Sequence, residues 1–175
     1  MNNKKLITTL CFGLVLFITG CSGASGFGKK KTEPMAASVT GYNHTQLSIT
    51  TFSINGGGGS MGGSSCCVLL PEKWSPHLVA RVKWESLDKS KLSRRPDYDE
   101  VEAYDLWSAE IDKLSISHEI TVPIPEYSTE DACSVKVHFL PCDQVKVTTS
   151  CYGYGSPEYP VKEPFNMKEP AVCPK

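Results

Sequence analysis

Leu78-Val79-Ala80-Arg81-Val82-Lys83-Trp84-Glu85 decides the fold class. Leu78, Ala80, Val82 and Trp84 fall in one phase and Arg81, Lys83 and Glu85 in the other, with Val79 the exception. A period of two is what a strand with one dry face and one wet face requires. Working outward, Ile116–Ile124 (ISHEITVPI) puts Ile116, His118, Ile120, Val122 and Ile124 on one face. Cys133–Phe139 (CSVKVHF) alternates again, and Gln144–Thr149 continues in phase through Val145 and Val147, which predicts a hairpin across Leu140–Asp143. Upstream, Gln46–Ile54 (QLSITTFSI) changes phase between Ile49 and Phe52, so a bulge is expected near Thr50. Cys66–Leu70 (CCVLL) is a short apolar run suited to a central strand, stopped by Pro71. Val101, Tyr104, Trp107, Ile111 and Leu114 recur at helical spacing and predict one helix over 99–114, with Asp97 or Asp99 as its cap. The expectation is an α+β, mainly β fold: an antiparallel sheet or sandwich with one principal helix, stabilised by disulfides.

The N-terminus has a different character. Lys4 and Lys5 precede an apolar stretch, Leu6–Ile18, that is too short to read as a membrane span and ends in Ile18-Thr19-Gly20-Cys21. A basic start, a short apolar core and two small residues before a cysteine resemble the lipobox of bacterial lipoproteins. That resemblance implies a signal peptide over 1–20 and lipidation of Cys21. Ser22 resembles the default sorting signal for the outer membrane, so a lipid-anchored protein on its periplasmic face is expected. Residues 21–37, small, polar and basic, read as a flexible tether, and 38–175 as one β-rich domain.

The chain has 18 basic and 19 acidic side chains. Loss of Lys4 and Lys5 leaves the mature side chains at about −3, which speaks against nucleic acid as a partner. Of 8 cysteines, Cys11 leaves with the signal and Cys21 takes the lipid. Cys66, Cys67, Cys133, Cys142, Cys151 and Cys173 remain as disulfide candidates in an oxidising compartment. Cys66 and Cys67, being adjacent, are expected to bond two different partners. The even spacing of Cys133, Cys142 and Cys151 matches no zinc pattern.

No catalytic, cofactor-binding or metal-ligating set is expected. Gly58-Gly59-Ser60-Met61-Gly62 fits the G-x-S-x-G pattern of a nucleophile elbow, but that pattern acts only on a strand–turn–helix, and turn and strand follow here. His44, His77, His118 and His138 form no ligand motif, although His118 and His138 both fall on strands and are possible neighbours. Two segments are candidates for contacting a partner. One is the glycine-rich stretch Asn55, Gly56, Gly57, Gly58, Gly59, Ser60 and Met61, whose composition suggests a flexible loop. The other is the acidic helix start with Asp97, Asp99, Glu100 and Glu102.

Val39-Thr40-Gly41-Tyr42-Asn43-His44-Thr45, the glycine-rich stretch, Cys66-Cys67-Val68 and Leu70-Pro71-Glu72-Lys73-Trp74 together form a pattern. It is similar to a domain of unknown function found in proteobacterial lipoproteins. Members of that family resemble immunity lipoproteins encoded beside antibacterial phospholipase effectors of the type VI secretion system. What the resemblance implies is a periplasmic protein that binds a secreted phospholipase toxin and blocks it. The competing expectation is a structural or assembly lipoprotein of the envelope.

Overall fold

A computed structural model describes residues 33–174. The expected signal peptide, Cys21 and most of the expected tether lie outside the described residues. Among the described residues, nine strands form two sheets. In order they are β1 (Met35–Asn43), β2 (Ser48–Ile54), β3 (Gly57–Gly58), β4 (Ser60–Met61), β5 (Ser65–Leu70), β6 (Val79–Leu87), β7 (Ile116–Pro123), β8 (Ser134–Leu140) and β9 (Gln144–Thr149). A helix, α1 (Val101–Leu114), stands between β6 and β7. The fold is mainly β with one α-helix, as the alternation and the helical stripe require.

One sheet runs β4-β1-β8-β9, with β5 also paired to β1. The other runs β3-β2-β6-β7 and is antiparallel throughout. The first is mixed, because β1 pairs in parallel with β8, from Ser38 against Ser134 to Asn43 against Phe139. The β2–β6 register shifts between Ile49 and Thr51, so the bulge falls at Thr50. It turns Phe52 and Ile54 to the same side as Ile49, and all three are buried. The core between the sheets is built from Val39, Phe52, Ile54, Val82, Trp84, Val135, Val137 and Phe139. Of the tryptophans, Trp84 is buried, while Trp74 is half-buried and donates from Nε1 to the Ile124 carbonyl at 2.8 Å.

The cysteine expectation needs one correction. Cys133 bonds Cys151 and Cys142 bonds Cys173, with Cα separations of 4.8 and 5.5 Å, but Cys66 and Cys67 bond each other. The order β5-β1-β8-β9 is the reason. Two strand steps separate β5 from β8, about 10 Å, beyond the Cα reach of a disulfide. Among the described residues, each of the two adjacent cysteines has only the other within reach.

The C-terminal segment after β9 forms no strand. It covers the outer face of the first sheet, where Tyr159 and Val161 are buried, and the Cys142–Cys173 bridge fastens it to the β8–β9 turn.

Candidate partner-binding surface

The glycine-rich stretch is ordered by its neighbours. Asn55 and Gly56 have φ of 49° and 85°, the left-handed pair of a tight hairpin turn between β2 and β3. The Arg81 amide donates to Asn55 Oδ1 at 2.8 Å, and the Asn55 amide donates to the Arg81 carbonyl at 2.9 Å. A Cβ on Gly59 would sit 1.9 Å from Cζ of Phe52, so the glycine makes room for a core ring. Gly58 and Ser60 then carry the chain from β3 in one sheet to β4 in the other. The composition that suggested flexibility is the requirement of a crossover threaded past Phe52. No helix follows Ser60, so no nucleophile elbow forms.

Two histidine clusters emerge from the fold. His44 and His138 are fully buried and bonded, Nε2 to Nδ1 at 2.8 Å. The proton positions follow from the partners. The Pro164 carbonyl can only accept, so His44 Nδ1 carries a hydrogen and donates to it at 3.0 Å. His44 Nε2 then pairs with His138 Nδ1, which donates to it. His138 Nε2 then accepts from the Tyr159 hydroxyl at 2.7 Å. Burial, reinforced by the charge His44 would carry, lowers the pKa of His138 to about 3. Burial also raises the Tyr159 phenol above its ordinary value. Tyr42 stacks on His138 and Phe165 on His44, so this neutral chain fastens the C-terminal segment to the sheet. His118 is therefore not the neighbour of His138.

His118 belongs to a second set. Its Nε2 lies 2.8 Å from Ser86 Oγ and its Nδ1 3.3 Å from Asp143 Oδ1, while Trp84 stacks on the ring. The order Ser, His, Asp matches that of a hydrolytic triad. Ser86 is only 2 % exposed, on the inward face of β6, so a substrate carbonyl has no approach to Oγ. The arrangement clamps the β8–β9 turn onto the opposite sheet. Nothing in the local sequence announces it, because Ser86, His118 and Asp143 come from three separate elements.

The acidic segment is exposed. Between Asp88 and Ser115 the chain leaves the sandwich, turns at Lys89–Lys91 and forms α1, of which no residue is buried. The apolar stripe packs on the preceding stretch of its own arm. Trp107 Nε1 donates to the Ser93 carbonyl at 3.1 Å, and the Arg95 guanidinium lies 4.5 Å from the Tyr98 ring centre and 5.7 Å from that of Trp107. Neither Asp97 nor Asp99 is the cap; Glu100 takes that position without a side-chain capping bond. Asp97, Asp99, Glu100 and Glu102 are all exposed, beside Tyr98 at 74 % and Val101 at 66 % exposure, with Leu106 at 70 % one turn further on. The two partner-binding candidates do not merge. Asn55 bonds Arg81 near one end of β6, and the arm leaves from Leu87 at the other, roughly 20 Å along the strand.

Residues 42–147 match the family described as "Protein of unknown function (DUF3304)". The chain belongs to the DUF3304 family. The matched DUF3304 region runs from the end of β1 into β9 and takes in both histidine clusters' strand residues, the glycine crossover, Cys66–Cys67 and the acidic arm; Tyr159 lies beyond it. No curated protein and no solved structure matches the chain.

Proposed function

We propose that this protein is a lipid-anchored periplasmic immunity protein that binds a secreted antibacterial phospholipase and inhibits it. The observation that carries the reading is the acidic arm. It projects a 14-residue helix with no buried residue and sets three large apolar side chains among carboxylates. An isolated helix of that length is marginal in water, so its outer face gains most by packing on another molecule. An enzyme that works on anionic phospholipids favours a basic face toward its substrate, and an acidic projection complements such a face. The lipobox-like N-terminus adds the membrane placement at which such a toxin acts, and a shared surface raises the effective concentration of inhibitor.

The test is binding and inhibition by the full chain, purified in detergent, against the product of the neighbouring gene, assayed as a phospholipase. Asp97→Lys with Asp99→Lys and Glu102→Lys is expected to weaken binding about tenfold or more and to flatten its salt dependence, with the thermal transition unchanged. Absence of binding, with full survival of a deletion strain facing toxin-delivering sister cells, overturns the reading.

A further inference from the structure

The free edge of β9 faces a groove of about 810 Å³. The groove is lined by β9 from Val145 to Thr149, by the segment after β7 (Val122, Pro123, Tyr127) and by the C-terminal segment (Pro160, Val161). Among the described residues, β9 pairs only with β8.

The register identifies which backbone groups face away from β8. The Ser150 amide donates to the Ser134 carbonyl at 3.1 Å, so these two face each other as a hydrogen-bonded pair. Such pairs alternate along an antiparallel ladder. With Thr148 opposite Lys136 and Lys146 opposite His138, the bonded residues of β9 are Thr148, Lys146 and Gln144. Val145, Val147 and Thr149 therefore turn their N–H and C=O groups away from β8, toward the groove. The edge of the other sheet differs. By the same reasoning from the Ile124 amide, which donates to the Leu78 carbonyl, β7 turns Ser117, Glu119, Thr121 and Pro123 outward. Pro123 has no donor, and Glu119 is engaged by Arg81 and Lys83, features that protect an edge strand. The β9 edge has no proline.

The geometry points to β9 as the docking edge for an extended, basic segment of a protein partner, which adds to the sheet as a further strand. Main-chain bonds to Val145, Val147 and Thr149 supply the pairing. Charge selects the occupant. Glu126, Asp131 and Glu158 ring the groove, and its one ammonium, Lys146, is already paired with Glu163. Valines 122, 145, 147 and 161 and the flanking prolines favour β-branched side chains between the basic ones. This surface is separate from the acidic arm, and it stands whether or not the partner is a phospholipase.

The test uses the full chain in detergent and two acetylated peptide amides, KTVTKTVTK and ETVTETVTE. The lysine peptide is expected to bind and to slow hydrogen exchange at the Val145, Val147 and Thr149 amides, leaving the already bonded Lys146 and Thr148 amides unchanged. Thr149→Pro removes an outward-facing donor, which an edge strand tolerates, and is expected to weaken binding about tenfold. Glu126→Lys with Glu158→Lys, both exposed, is expected to shift preference to the glutamate peptide. No protection at the three amides, equal binding of both peptides, or undiminished binding by both variants overturns the inference. No phospholipase takes part in this assay, so its outcome is independent of the immunity reading.

Discussion

Acidification should loosen this protein through His138, and the size of the effect follows from its surroundings. His138 is fully buried, bonded between His44 and Tyr159, and its pKa in the folded protein is about 3. Burial is the main cause and the adjacent His44 the next; Glu163 opposes them, while Lys146 and Lys136 add to the depression. In the unfolded chain the imidazole returns to about 6.5. Below that value the unfolded state binds a proton that the folded state does not, so stability falls as pH falls, by about 1.4 kcal/mol per pH unit, until the folded state protonates near pH 3. Between pH 7 and pH 5 the loss from this group is about 2 kcal/mol, a large share of the 5–15 kcal/mol typical of a domain. Urea denaturation of the wild type and of His138→Gln at pH 7, 6 and 5 isolates the contribution, because other titrating groups act in both proteins. The wild type is expected to lose about 2 kcal/mol more than the variant over that range. Parallel pH profiles would refute a neutral His44–His138–Tyr159 chain.

Gly59→Ala drives a methyl against the Phe52 ring and is expected to cost about 1–3 kcal/mol in urea denaturation, whereas a merely flexible loop would tolerate it. Replacing Cys142 and Cys173 by serine opens a closure spanning 31 residues and should lower stability by about 3–4 kcal/mol while exposing the C-terminal segment to limited proteolysis. Cys21→Ser is expected to leave an unlipidated precursor that no longer partitions into the detergent phase; normal lipid labelling of that variant would remove the anchor from the functional reading.

The sequence by itself determined six of the strands, the bulge at Thr50 and the helix, because these depend on which side of a short segment meets water; β1, β3 and β4 were not read from it. Alternation around Trp84 and the phase change between Ile49 and Phe52 are local signals, written at the period of the backbone. The acidic arm was legible as a charged helix start for the same reason. What only the tertiary structure decided is which distant segments meet. His44 and His138 are 94 residues apart and touch because β1 runs parallel to the end of β8. Cys66 and Cys67 bond each other because β1 stands between β5 and the β8–β9 hairpin that Cys133, Cys142 and Cys151 flank. The glycines at 56–59 looked like flexibility until Phe52 and the sheet crossover gave them a steric cause. The helix stripe meets no core; Tyr104 and Trp107 pack on their own arm, because periodicity marks an apolar face and not what covers it. The β9 edge is likewise invisible in QVKVTT: whether a strand is central or free depends on the neighbours the rest of the chain supplies.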